Sequence, residues 1–549
     1  MGKNKLLYFL SLSLLAGFVL WICWVPKNTT FLVFIAFVPL LMLEDLINEY
    51  RVRRSALSVF LYSYLAFFTW NLLTTYWVYN ASLSGAVMAV LLNALLMTVP
   101  FLLFHKVRVI LKRSSAYFFL ITFWMTYEYL HLNWDLAWPW LNLGNVFAMT
   151  PGWIQWYEYT GTFGGTIWVW SVNILVYFAI KRYLIIKKES ASPVKLIPIL
   201  VLIILTFGVP IIISRSIKID ESKPINKNVV IVQPNIDPYT MKFTTPLEIQ
   251  IHKLLILTEK AVDSNTVLVV WPETAISRNT DEAFINRDPV IRWIRDFLNK
   301  HPNVKLISGI DSYRFFEEGE EPSSTARQLR SGELYDSYNA AILMDTSPEY
   351  SIYHKSRLVP GVEKMPYPTI FKFLENLVID LGGTSGSLGK QPEASVFKVD
   401  EEIIAAPLIC YESIFGDYSG DFVLKGANIF TIITNDGWWG FTDGHKQHYI
   451  YAVLRAIEFR KDIIRSANTG ISCYINSKGE IFDKTDYWVD AVFKHEIALN
   501  DKITFYAMSG DYLARISLFM SIMIILVAIS KGILGKKVHG DQILFDKNM

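Results

Sequence analysis

The sequence predicts an α-helical membrane bundle of about eight spans carrying one extracytoplasmic α/β domain. Three observations predict it. Hydrophobic residues make up 52% of the 549-residue chain and charged residues 19%, against about 25% charged in a typical soluble domain. The apolar excess is concentrated in residues 1–213 and in one late stretch. From Ile217 onward, short β-branched runs alternate with amphipathic stretches, the pattern of a soluble α/β unit.

The same figures exclude several classes. Apolar content this high rules out disorder. A net charge of +2 gives no electrostatic footprint for nucleic acid. Three cysteines are too few for a disulfide scaffold or a four-thiolate zinc site.

A spanning helix needs about 20 mostly apolar residues. Candidates run at 6–26, 29–44, 55–79, 84–105, 115–131, 163–181, 196–213 and 514–534. The second is short and the fifth carries Glu128. Lys3 and Lys5 precede the first, but Leu20-Trp21-Ile22-Cys23 lacks the small residues of a cleavage site, so an uncleaved anchor is expected. Between the fifth and sixth lies Trp134–Trp156, with Trp138-Pro139-Trp140-Leu141 at its centre. It is too broken to span and too apolar for a free loop, which predicts a re-entrant or interfacial segment, where Trp rings favour the headgroup level. Alternate connections carry the basic residues: Lys3 and Lys5; Arg51, Arg53 and Arg54; Lys106 to Arg113; Lys181 to Lys195; Lys531 to Lys547. The intervening loops before the seventh span hold Lys27 alone. By the positive-inside rule both termini are cytoplasmic and residues 215–512 face outward. The expected division is 1–214 with seven spans, 215–512 as the outer domain, and 513–549 as an eighth span and tail.

Within the outer domain, strands are expected at Asn228–Val232, Val267–Trp271, Lys305–Gly309, Ala340–Met344, Ile403–Ile409, Ile429–Thr434 and Ile471–Ile475. Helices are expected at Pro246–Asp263 and Pro289–Lys300. Glu317–Glu321 and Gly382–Gly386 read as mobile surface loops. Polar residues follow several apolar runs: Glu273 after Pro272, Lys355 after His354, Cys410-Tyr411-Glu412 after Ile409, and Asn435-Asp436 after Thr434. Ligands bind outside the carboxyl ends of strands in α/β sheets, so these residues can converge.

A thiol attacks a carbonyl as its thiolate, and so needs a base or a positive environment. Glu273 could take the proton of Cys410, and Lys355 could hold the oxyanion. A helix starting at Tyr411 or Glu412 would add N–H donors beside the sulfur. The product would be a thioester. Singly, each residue has a plain reading: a buried cysteine, a capping glutamate, a surface lysine. Together they describe acyl transfer.

Trp271-Pro272-Glu273-Thr274-Ala275, Tyr353-His354-Lys355-Ser356-Arg357-Leu358-Val359-Pro360 and Ile409-Cys410-Tyr411-Glu412 resemble the three signature segments of the nitrilase superfamily. The membrane arrangement, Val232-Gln233-Pro234-Asn235-Ile236, Trp138-Pro139-Trp140-Leu141, Asn435-Asp436-Gly437-Trp438-Trp439-Gly440, Arg455-Ala456-Ile457-Glu458 and Arg465-Ser466-Ala467-Asn468-Thr469-Gly470 are similar to its membrane branch, the apolipoprotein N-acyltransferases. That resemblance implies an αββα sandwich over eight helices, with Glu273 as general base, Lys355 as oxyanion stabiliser and Cys410 as nucleophile. Glu363 and Glu412 match supporting positions, although Pro360-Gly361-Val362-Glu363 replaces the family's usual Pro-Phe-Gly-Glu. Phe243 stands where many members have Trp, and Tyr411 is assigned to packing.

The implied reaction is ping-pong. A phospholipid, preferably phosphatidylethanolamine, acylates the cysteine, and the α-amine of a diacylglyceryl-cysteine lipoprotein takes the chain. The resemblance implies no metal or soluble cofactor, a monomer, and a bacterial cytoplasmic membrane with the catalytic domain on the periplasmic side. His445 and His448 share an i, i+3 spacing but have no third ligand in sequence, so no metal site is expected. Cys23 is expected to pack on the lipid side and Cys473 in a core strand, and a Cys410–Cys473 disulfide would block the nucleophile. The rival readings are an amidase with water as acceptor and an inactive scaffold.

Overall fold

The computed structural model describes residues 3–25, 29–50, 52, 55–111, 116–190, 192–367 and 387–547. The Gly382–Gly386 segment lies outside the described residues, as do Lys27, Arg51, Arg53, Arg54, Lys112 and Arg113 of the charge argument.

Among the described residues, seven helices are long and apolar enough to cross a membrane: Asn4–Cys23, Thr30–Glu49, Ser55–Asn80, Leu83–Leu111, Thr162–Glu189, Pro193–Ser216 and Tyr512–Ile533. An eighth apolar helix, Ala116–Leu132, has 17 residues, the lower end of the spanning range of about 17–25. The second is not continuous: a 3₁₀ turn at Thr30–Phe34 precedes the α-helix Val38–Glu49, which has Pro39 in its first turn. Asn173 repairs the break, accepting from Phe37 N (2.9 Å) and donating to Val33 O (2.8 Å). The bundle is held by rings rather than by aliphatic stripes, with Phe37 within 5.5 Å of Trp124 and 4.1 Å of Trp170. Cys23 corrects its expectation: it is fully buried inside the bundle, not turned to lipid.

The Trp134–Trp156 segment folds as three short 3₁₀ turns, Pro139–Leu141, Leu143–Met149 and Pro151–Trp153. Glu128 pins it. This buried carboxylate accepts from Leu143 N (2.7 Å), Trp124 Nε1 (3.1 Å) and Thr166 Oγ1 (2.7 Å), tying two membrane helices to the aromatic turns.

Among the described residues, the outer domain has fourteen strands. In chain order these are β1 Lys223–Gln233, β2 Thr266–Val270, β3 Ile276–Asp281, β4 Lys305–Phe315, β5 Arg327–Gln328, β6 Leu334–Met344, β7 Tyr350–His354, β8 Phe397–Lys398, β9 Ile404–Ile409, β10 Ile429–Thr434, β11 Asp462–Ala467, β12 Cys473–Ile475, β13 Ile481–Phe482 and β14 Ala491–Leu499. One sheet has the order β14-β1-β2-β4-β6-β5, with β3 beside β4 and β7 beside β6; the other runs β13-β12-β11-β10-β9-β8. Strand alternation sorts the layers. Val229, Ile231, Leu268 and Val270 face the second sheet's Leu408, Ile432 and Ile464. Val230, Val232 and Val269 lie under Leu254 of helix Leu247–Glu259 and Ile294 of helix Pro289–Lys300. Helices Gly416–Leu424 and Gly444–Phe459 cover the other sheet. The result is an αββα sandwich on a helical membrane bundle.

Helix Gly444–Phe459 is buried from Tyr451 to its end, because the sheet lies on one side and the aromatic turns on the other. Trp140 Nε1 donates to Gln447 Oε1 (2.7 Å), and Tyr451 OH donates to Trp140 O (2.8 Å). Beyond it, Arg460 donates to Glu158 Oε2 (2.6 Å) and Gln155 O (2.5 Å). These bonds seat the sandwich on the bundle.

Candidate active site

Strand ends deliver the candidate side chains. β2 runs through Trp271 and Pro272 into Glu273, and the chain then turns sharply at Thr274, φ +49°. The turn presses against Gly309 of β4, where a Cβ would lie 2.2 Å from Thr274 N and 2.6 Å from Glu273 Cα, so only glycine fits. β7 ends at His354, and the N–H of Lys355 bonds the Asn339 carbonyl of β6 (2.9 Å). β9 ends at Ile409, and Cys410 follows at φ +52°, a left-handed conformation that costs a non-glycine residue about 1–3 kcal/mol.

Glu412 holds that strained turn. Its Oε2 accepts from Ile409 N (2.9 Å), and its Oε1 accepts from Tyr353 OH (2.6 Å), Ser356 N (2.7 Å) and Arg357 N (3.1 Å). One fully buried carboxylate thus fastens the Cys410 turn to the loop that carries Lys355. It reaches Lys355 through the following backbone, and its burial keeps it from any substrate amine. The α-helix expected at Tyr411 is corrected to a five-residue 3₁₀ turn, Cys410–Ile414, with the α-helix beginning only at Gly416. Among the described residues, no long helix starts at the sulfur.

At the centre, Glu273 Oε1 accepts from Asn339 Nδ2 (2.8 Å) and Lys355 Nζ (3.2 Å), and its Oε2 accepts from Asn435 N (3.0 Å). Glu363 Oε1 accepts from the same two side chains, Lys355 Nζ at 2.7 Å and Asn339 Nδ2 at 2.9 Å, and its Oε2 from Val359 N (2.7 Å). Burial pushes the Glu273 carboxyl up, but Lys355, Asn339 and Lys242 outweigh it and hold the group below the usual carboxylate range. Burial likewise opposes the Lys355 charge, but Glu273, Glu363 and Cys410 keep it well above its ordinary value. An ammonium has three donors, and the two carboxylates take two of them.

Burial first, then Glu273, pushes the Cys410 thiol up against the pull of Lys355. The resting sulfur therefore keeps its proton. The Cys410 carbonyl lies 3.2 Å from His448 Nε2, whose Nδ1 lies 2.9 Å from Asp436 Oδ1. Arg465 Nη2 donates to Asp436 Oδ2 (2.8 Å). The Asp436 carboxyl, raised by burial, is carried far below its ordinary value by Arg465 and His448. His448 is thus committed to the Cys410 turn, while His445 stacks on Tyr487 at 3.6 Å between centroids.

Glu273, Lys355 and Cys410 share the wall of a cavity of about 380 Å³ with Glu363, Tyr411 and His448. The opposite wall is membrane helix and aromatic turn: Met88, Ala89, Leu92, Leu96, Trp138 and Trp140. Met88–Leu92 is a π-helical turn in the fourth span, a local widening that recurs at functional sites. Tyr411 OH donates to Ala137 O (2.7 Å), a packing contact between sandwich and bundle. Phe243 does not line the cavity; it is 75% exposed, 6.4 Å from the ring of Trp438, which does. Cys23, Cys410 and Cys473 are all free thiols, and Cys473 is buried in β12. Sequence reasoning missed Asn339, whose one signal is an amide inside the otherwise apolar end of β6. It also weighed His448 only as a metal ligand and, having set that aside, gave it no role.

Fold and site define a nitrilase-superfamily domain, a sandwich with a Glu-Lys-Cys centre, mounted on a membrane bundle. The family model for carbon-nitrogen hydrolases matches residues 228–505, and that for the apolipoprotein N-acyltransferase N-terminal domain matches residues 16–175. The apolipoprotein N-acyltransferase of Chlorobaculum tepidum is 30% identical over 94% of this chain and 96% of its own. Those of Geobacter metallireducens (26%; 92% of both chains) and Thermotoga maritima (25%; 95% and 94%) are also similar. Among solved structures, an amidase from Nesterenkonia sp. is 12% identical with a TM-score of 0.37, covering 54% of this chain and 98% of that one. The chain belongs to the apolipoprotein N-acyltransferase family, and it is a bacterial membrane protein.

Proposed function

We propose that this protein transfers an acyl chain from a phospholipid, through a Cys410 thioester, to the α-amine of a diacylglyceryl-cysteine lipoprotein. The observation that carries this reading is the composition of the cavity. One wall presents a buried base, cation and thiol, and the other is apolar side chains of membrane helices. An acyl ester can present its carbonyl to the sulfur while its chain stays among those helices. The donor is taken to be phosphatidylethanolamine, the acceptor a diacylated apolipoprotein, and the enzyme a monomer.

As the lipid ester carbonyl meets the sulfur, Glu273 takes the thiol proton and Sγ bonds the carbonyl carbon. The Lys355 proton not committed to the carboxylates stabilises the oxyanion. Collapse breaks the ester C–O bond, and the lyso-lipid leaves with the proton from Glu273. In the second half, a neutral amine attacks the thioester, Glu273 takes its proton, and the departing thiolate recovers that proton. Asn339 and Glu363 keep Glu273 and Lys355 in register, and Glu412 keeps the two loops in register. Phe243 and Trp438 meet substrate at the mouth. Residues 1–214 and 513–549 form the platform and 215–512 the periplasmic catalytic domain, in the inner membrane.

Intact-protein mass spectrometry after incubation with phospholipid alone tests the first half. A hydroxylamine-sensitive acyl adduct on Cys410, absent from Cys410→Ala, is expected. Turnover of phospholipid by Cys410→Ala at the normal rate would refute the assignment.

A further inference from the structure

A second cavity, about 230 Å³, lies beside the first and serves no step described so far. Tyr411 and Ala137 line both, so their hydrogen-bonded pair is the partition. Its other walls bring together Arg357, Lys364 and Lys390 with the end of a membrane helix, Leu132 and Trp134. Among the described residues Asp135 is its one carboxylate, 3.3 Å from Lys364 Nζ.

Among the described residues, three cations here face one carboxylate. The Arg357 guanidinium rests on the faces of Tyr418 (5.1 Å) and Phe415 (5.5 Å) and has no ion pair among the described residues. Lys390 is exposed and likewise has none among them. Burial, with Lys390 and Arg357 nearby, outweighs Asp135 and lowers the Lys364 ammonium below its ordinary value. A planar guanidinium with free donors is suited to a phosphate. The cavity's place at the end of a spanning helix, beside a Trp, is where lipid headgroups lie. Basic pockets at such a level bind lipid phosphates.

We propose that this second cavity binds the phosphodiester of a glycerophospholipid headgroup through Arg357, Lys364 and Lys390. The lipid held there is the acyl donor, so the inference rests on the reading of function above. In a glycerophospholipid only the glycerol carbons separate the phosphate from the acyl esters. Arg357 lies two residues after Lys355 and Tyr411 lines both cavities, so a phosphate against Arg357 lies across the edge of Tyr411 from the cavity that holds Cys410.

The test measures initial rates of Cys410 acylation in full-length protein with two donors, phosphatidylethanolamine and a p-nitrophenyl acyl ester, which lacks phosphate. Arg357→Gln, Lys364→Gln and Lys390→Gln are each compared with the unaltered enzyme; Lys390 is exposed, so its substitution leaves the fold intact. A charge-assisted contact is worth about 1.5–3 kcal/mol, so the loss with phospholipid should exceed that with the phosphate-free ester by about tenfold or more. Equal losses with both donors, or none with either, would overturn the proposal. Inorganic phosphate is added as competitor. Competition that disappears in Arg357→Gln would assign the cavity to a soluble anion and overturn the lipid assignment. No acylation of the unaltered enzyme by either donor would instead strike at the reading of function.

Discussion

Around the sulfur, Glu273, Lys355, Asn339 and Glu363 form one hydrogen-bonded cluster. Lys355 is the largest influence holding the Glu273 carboxyl down, and removing it should do two separable things. Lys355→Met should slow Cys410 acylation by about 10²–10³, the usual cost of an oxyanion donor. It should also move the acid limb of the rate to higher pH. A base with a depressed pKa stays ionised until pH falls through that low value; without the cation, burial raises it, and protonation sets in earlier on descent. A rate–pH profile in which the limb stays put would remove Lys355 from its electrostatic role. Asn339→Ala takes one donor from Glu273 and one from Glu363. It should slow acylation by about tenfold, shift the limb the same way and leave the KM for donor nearly unchanged. The convergence of Glu273, Lys355 and Cys410 was legible in the sequence because each follows an apolar run. Asn339 was not, because an amide within a strand reads as a solvent-facing residue until its partners on two distant loops are known.

At the scale of elements, seven strands could be read from β-branched runs, and of those that could not, β14 and β11 show why. β14 is an edge strand, and much of its surface is half-exposed, so it lacks a continuous apolar signal. β11 is wholly buried but contains Asp462, Arg465 and Ser466. Each is paired: Asp462 with Tyr474, Arg465 with Asp436, Ser466 with Val232 O. Polarity hid the strand, since partners on neighbouring strands and across the sandwich cannot be read from spacing. Glu128 shows the converse, because a charge within a span invites a functional reading. Its three donors make it a structural tie between helices and aromatic turns. Glu128→Ala leaves three buried donors unpaired, each worth about 1–3 kcal/mol, and should lower the melting temperature of the detergent-solubilised protein markedly. Glu128→Gln retains an acceptor and should keep most of the acylation rate. Loss of acylation in Glu128→Gln with unchanged melting would give the residue a chemical role.

For the whole molecule, the account requires the sandwich and the basic loops to lie on opposite sides of the membrane. In a cysteine-free background, an impermeant maleimide should label Glu318→Cys on intact spheroplasts and Lys188→Cys only after permeabilisation. The reverse pattern would invert the topology. The harder requirement is kinetic. A thioester beside an aqueous compartment faces water at vast excess over a scarce lipoprotein amine, so a transferase must keep water out or unactivated. The cavity's wall of Trp138, Trp140 and membrane-helix side chains is suited to that, with the acyl tail remaining in the bundle. The most direct measurement therefore isolates the acyl-enzyme and follows its decay by mass spectrometry. The adduct should persist in buffer, discharge rapidly on adding a diacylated lipopeptide with a free α-amine, and ignore the N-acetylated form. Decay at one rate with or without the lipopeptide, releasing free fatty acid, would contradict the account and leave a membrane-tethered hydrolase.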